Sequence, residues 1–152
     1  MTTINERLAA LGITLPEAAT PAANYLPVMK SGNTLYTSGR LPLREGKLVH
    51  EGLLGRDLTV EQGQEAAKWC AINILAQAQS ALGELEKVKR IVKISVFVAS
   101  AQDFTEQHLV ANGASNLLAE VLGDAGRHAR SAVGMASLPL NAPVEIEAII
   151  EF

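Results

Sequence analysis

The chain has little of several things, and each shortage narrows the reading. Of its 152 residues only one is cysteine, Cys70, so no disulfide can form within the chain. A reducing compartment, the cytoplasm, is the expectation from cysteine usage. Cys70 falls within a helical apolar pattern, where a buried inert thiol is expected rather than a nucleophile. Aromatic residues make up 4% of the sequence, and 13 Lys and Arg are set against 16 Asp and Glu, a net charge of −3. Nucleic-acid binding asks for stacking platforms and a concentrated basic surface, so neither RNA nor DNA is an expected partner. No apolar run reaches the length that spans a bilayer, and Asn5, Glu6 and Arg7 interrupt the N-terminal segment, which lacks a signal-peptide core. The three histidines, His50, His108 and His128, are scattered without metal-ligand spacing, and no metal or cofactor is expected. Gly52-Leu53-Leu54-Gly55 has neither the spacing nor the Lys-Ser/Thr ending of a phosphate loop. Ser131 has no His-Asp arrangement near it in sequence.

What is present is a folded α+β domain: 48% of the residues are hydrophobic and 19% charged, a balance that builds a core. Ile4 to Leu11 reads as a short helix ended by Gly12, and the Pro16 and Pro21 region as an extended connector. Residues 1–23 thus form an N-terminal helix and connector, ahead of one domain over 24–152. Tyr25 to Lys30 and Thr34 to Ser38 flank Gly32-Asn33 as a hairpin, and Arg44-Glu45-Gly46-Lys47 suggests another turn. Thr59 and Gln62 fit a capping box opening a helix to Leu82, closed by Gly83. Val88 to Val98 alternates as a strand, with Ile91, Lys93, Ser95 and Phe97 on one face. Asp103 and Glu106 mark a second helix to Leu122. Strands near His128 to Ala136 and Val144 to Phe152 finish the chain. This order suggests a mixed, mostly antiparallel sheet with both helices on one face.

Chemistry concentrates near the C-terminus. Arg130 stands at a strand start, where a guanidinium can hold a carboxylate by two points. Glu145 follows a connection short enough to lay its strand alongside that of Arg130. A carboxylate near such an arginine can place a water or exchange a proton. The plain alternative is an Arg130–Glu145 ion pair that only ties two strands together.

From Tyr25 to Phe152 the sequence resembles the RidA (YjgF) family, in its longer branch often labelled endoribonuclease L-PSP. Asn24-Tyr25, Gly32 to Gly39, Leu41-Pro42-Leu43, Val92 to Val98, Ala129-Arg130-Ser131, Leu138-Pro139 and Val144 to Ile149 carry the resemblance. It implies a chorismate-mutase-like fold assembled as a homotrimer with clefts between subunits, in which Ile91, Phe97 and Ile149 become subunit contacts. It also implies hydrolytic deamination of reactive enamines and imines of the 2-aminoacrylate type, giving 2-keto acids and ammonia without a cofactor. Arg130 would grip the substrate carboxylate, Glu145 would orient or activate water, Tyr25 would line the cleft, and Ser38 and Gly39 would offer backbone contacts. The sequence departs from the family pattern at Ala132, where many members have cysteine, and at His108, where asparagine is usual. The N-terminal extension and the Gly52–Leu58 loop are further departures that could cover or narrow the cleft. A non-catalytic trimeric binder of small 2-keto or other carboxylic acids uses the same Arg130, and an endoribonuclease ranks third.

Overall fold

The computed structural model describes residues 2–18 and 23–152; Pro21, in the expected connector, lies outside them. Thr3 accepts from the backbone of Glu6 and caps α1, Ile4–Ala10. Strands β1 (Val28–Ser31) and β2 (Thr34–Thr37) pair antiparallel around Gly32-Asn33. Gly32 takes a φ of 59°, which a residue without Cβ adopts at no steric cost. A small hairpin of β3 (Leu43–Arg44) and β4 (Lys47–Leu48) turns through Glu45 and Gly46, both at positive φ.

Helix α2 (Val60–Leu82) opens with the capping box that Thr59 and Gln62 announce, and Gly83 closes it at φ 90°. Strand β5 (Arg90–Ala99), helix α3 (Gln107–Leu122), strand β6 (Ala129–Met135) and strand β7 (Val144–Glu151) follow. One five-stranded sheet results, in the order β1-β2-β7-β5-β6. Its pairs are antiparallel except β5 with β6. Helices α2 and α3 bury one face of it through Leu35, Ile94, Val96, Val98, Val144, Ile146 and Ile150. The fold is the mixed α+β sheet expected, with α1 added on α3 through Leu8 and an Arg7 Nη1 bond of 2.9 Å to Val121 O.

Three expectations are corrected. The last two strands do not pair with each other, because β5 lies between β6 and β7. Asp103 does not cap α3; the helix begins at Gln107, whose side chain donates to Phe104 O at 2.8 Å within the preceding turn. Strand β5 is not in simple alternation either. A β-bulge between Ile91 and Lys93 turns Ile91 into the core at 1% exposure and leaves Val92 outside at 40%. Ile91 is therefore a core residue and not a surface for a second copy, and Val92 takes its place on the open face.

That open face carries Met29, Tyr36, Val92 and Val133, all exposed, with Phe97 and Ile149 half-buried among them. The Gly52–Leu58 loop is tied down. Leu54 is fully buried and bonded to Ala99 O, and Asp57 accepts from the Leu53 amide at 2.8 Å. Leu53 and Arg56 together hold the Asp57 carboxyl below its ordinary range.

Candidate functional site

Arg130 lies on the outermost strand, where no further strand covers the sheet edge. It is level with Ile94, a buried residue, so its side chain leaves on the helix-covered face. There it meets one polar stripe of α3, formed by His108, Asn112 and Ser115 at helical spacing. Nη1 donates to Asn112 Oδ1 at 2.9 Å and to Ser115 Oγ at 3.0 Å, and Nη2 donates to His108 O at 3.0 Å. A guanidinium has five N–H groups. Three are used by α3, so Nε–H and one Nη2–H remain without a protein acceptor among the described residues. This is a cation fixed in place with two donors to spare, the arrangement that grips a carboxylate. Ser115 is in turn 2.8 Å from His128 Nε2, and His128 Nδ1 is 2.7 Å from Gly126 O. Ala132, two residues on, shares the face of Arg130 and packs against the core. His108 contributes its backbone carbonyl to this cluster.

Glu145 sits near the start of β7, opposite Phe97 of β5, and so on the other face of the sheet. Arg40 bridges to Ile146 by two backbone bonds of 2.7 and 3.0 Å, which brings Gly39 against the Glu145 side chain. A Cβ at Gly39 would lie 2.8 Å from the Glu145 carboxyl carbon, so only glycine leaves room for the carboxylate as placed. Partial burial raises the Glu145 carboxyl above its ordinary range, the neighbouring Glu147 charge adds to this, and Arg40 opposes it. Arg40 itself donates from Nε to Gly39 O at 3.1 Å. Ser38 Oγ donates to Leu26 O at 2.6 Å and pins the loop that carries Tyr25, which is half exposed. Tyr25, Gly39, Arg40 and Leu140 wall a cavity of about 590 Å³. Pro16, Glu17 and Ala18 of the N-terminal extension form another side of it, whereas no residue of the Gly52–Leu58 loop does. Glu145 does not line this cavity; it abuts its wall at Gly39.

The expected site residues thus fall into two groups. Arg130, Ala132 and His108 form one, and Tyr25, Ser38, Gly39 and Glu145 the other. Arg130 and Glu145 make no ion pair, and the tie between two strands does not exist. Their positions on β5 differ by three residues, and two strand spacings separate them, so their Cα atoms are roughly 14 Å apart. They also project from opposite faces. Asn112, Ser115, His128 and Arg40 escaped the sequence reading. The i, i+4, i+7 spacing of His108, Asn112 and Ser115, which puts three polar residues on one face of α3, was the available signal for the first two. Cys70 is wholly buried in α2, where burial pushes its thiol up and Sγ lies 3.6 Å from Val144 O. Among the described residues, no helix is long and apolar enough to cross a membrane.

Residues 5–151 match the family model described as "YjgF/chorismate_mutase-like, putative endoribonuclease". The chain is 52% identical over 145 residues to Protein TCP17 of Trypanosoma cruzi, covering 95% of this chain and 91% of that one. It is 34% identical to the mitochondrial protein MMF1 of Saccharomyces cerevisiae, over 84% of this chain and 74% of that one. Identity to the 2-iminobutanoate/2-iminopropanoate deaminase of Dermatophagoides farinae is 29%, covering 91% and 93%. Among solved structures, the Agrobacterium tumefaciens protein Atu1372, of unknown function, superposes with a TM-score of 0.93 at 59% identity, over 98% of this chain and 92% of that one. The chain belongs to the RidA family, the YjgF/chorismate mutase-like group that its sequence resembles.

Proposed function

We propose that this protein hydrolyses small enamines and imines bearing a carboxylate, of the 2-aminoacrylate type, to 2-keto acids and ammonia. The observation that carries the reading is Arg130, held by three bonds to α3 with two N–H donors left over. The deaminase name borne by the Dermatophagoides relative supports the same kind of chemistry.

Arg130 binds the carboxylate and fixes the position of C2. The enamine takes a proton at C3 from solvent and becomes the imine, whose C2 is already electrophilic. Glu145 accepts a proton as water forms its bond to C2. It then returns the proton to nitrogen; the C2 hydroxyl gives its proton to solvent as its electrons form the C=O bond, the C–N bond breaks, and ammonia leaves. For 2-aminoacrylate the sum is enamine plus water to pyruvate plus ammonia. A carboxylate raised by burial is better matched to this exchange than an exposed one, since its pKa lies nearer the working pH.

Because Arg130 and Glu145 lie on opposite faces of one sheet, a small molecule that touches both needs a second copy of the chain. The proposal therefore includes a homotrimer, with Arg130 of one subunit facing Glu145 of the next. The exposed Met29, Tyr36, Val92 and Val133 supply an apolar face for that assembly. A cytoplasmic location is part of the proposal, and cell fractionation distinguishes it from the mitochondrial one that the yeast relative's name gives.

The test is hydrolysis of freshly generated 2-aminoacrylate, followed by ammonia release above the spontaneous rate. Wild type is expected to accelerate it and Arg130→Ala to lose the acceleration. Wild type that is inert with this and bulkier imino acids, yet saturably binds 2-keto acids, would replace the enzyme by the small-acid binder.

A further inference from the structure

The ring of His128 reaches Arg130 through Ser115, and chemistry dictates the direction of each hydrogen bond in the chain. The carbonyl of Gly126, 2.7 Å from Nδ1, can only accept, so Nδ1 carries a proton. In the neutral ring Nε2 is then a bare acceptor. The Ser115 hydroxyl, 2.8 Å away, donates to it. With its proton so committed, Ser115 Oγ presents only lone pairs to Arg130 Nη1 at 3.0 Å. A helical serine without such an acceptor is free to turn its hydroxyl back to the carbonyl one turn earlier or out to solvent, and its lone pairs turn with it. His128 therefore determines which way Ser115 faces, and Ser115 is one of three acceptors that orient the guanidinium.

We infer that His128 is a positioning residue for Arg130. Through Ser115 it holds the guanidinium so that the free Nε–H and Nη2–H meet a ligand carboxylate in one orientation. His128 touches no reacting atom. The inference rests on the reading of Arg130 as the carboxylate grip, and it adds His128 and Ser115 to the residues that set affinity for carboxylate ligands.

Pyruvate binding is measured on the full chain by NMR titration, together with kcat and KM for 2-aminoacrylate and for its neutral carboxamide. His128→Ala is expected to raise the pyruvate Kd and the 2-aminoacrylate KM by about three- to tenfold, the size of one lost hydrogen bond, with kcat little changed. The carboxamide, which has no carboxylate to grip, should lose nothing comparable. His128→Gln, whose side-chain oxygen can still accept from Ser115, should recover most of the loss. In a Ser115→Ala background His128→Ala should add no further penalty. An unchanged Kd in the His128→Ala protein overturns the inference while leaving the reading of Arg130 standing. Equal losses on the carboxylate and the carboxamide overturn it too, since they mark a merely structural role. Wild type that binds no pyruvate removes the Arg130 reading itself, and this inference with it.

Discussion

Replacing Arg130 by lysine keeps the charge and removes the fork, and the structure says what that should cost. The guanidinium spends three N–H groups on Asn112, Ser115 and His108 and leaves two without a protein acceptor among the described residues. An ammonium has three donors in all. If these satisfy the α3 stripe, none is left for substrate; if one turns to the substrate, a partner on α3 goes unpaired. Either way at least one hydrogen bond to a charged group is lost, worth about 1.5–3 kcal/mol. At about 1.4 kcal/mol per decade this is roughly a ten- to hundredfold fall in kcat/KM. The assay is ammonia release from 2-aminoacrylate over a concentration series, with thermal unfolding of both proteins to establish that the fold survives. A lysine variant as efficient as wild type would refute the two-point grip, and a point charge would then suffice.

Further expectations concern Glu145 and the helix layer. If Glu145 must be ionised to accept a proton, activity falls as pH drops through its pKa. Removing the Arg40 charge (Arg40→Gln) should then move that acid limb to higher pH, and Glu147→Gln should move it lower, because the two groups shift Glu145 in opposite directions. Rate–pH profiles of the two variants moving the same way would count against Glu145 as the base. The same raised pKa has a consequence for stability. The folded state holds the Glu145 proton more tightly than the unfolded chain, so stability declines as pH rises through the folded pKa. Glu145→Gln should therefore be inactive yet at least as stable as wild type at neutral pH, with the difference shrinking in acid; a less stable variant in neutral urea melts would contradict this. In the helix layer, a methyl group at Gly113 would run into the backbone carbonyl of Gln64 where α3 crosses α2. Gly113→Ala should lose about 1–3 kcal/mol in denaturant unfolding, and a variant as stable as wild type would show that the two helices part easily.

Local signals carried most of the architecture. The capping box at Thr59, the Gly32-Asn33 turn and the alternation of β7 are written in adjacent residues, and each appears where the sequence places it. What failed depends on distant pairing. The bulge that buries Ile91 is a register shift against Ile149 and Ile150 of β7, residues that no local window of sequence around Ile91 contains. The parallel pairing of β6 with β5 puts a strand between Arg130 and Glu145, although only a short connection joins β6 to β7. The site residues divide likewise. Arg130 and Glu145 are the candidates that the family motif supplies, whereas His128 carries no motif and acquires its place only when α3 lies across β6.

The claim that most needs testing is that Arg130 and Glu145 act together from different subunits. Two inactive variants, Arg130→Ala and Glu145→Gln, are unfolded together, refolded as a mixture and assayed on 2-aminoacrylate. In a homotrimer with random assortment, about one cleft in four receives an intact Arg130 from one subunit and an intact Glu145 from its neighbour. The mixture is expected to regain roughly a quarter of wild-type activity. A mixture proven to contain hybrid trimers, yet no more active than either parent, would contradict it.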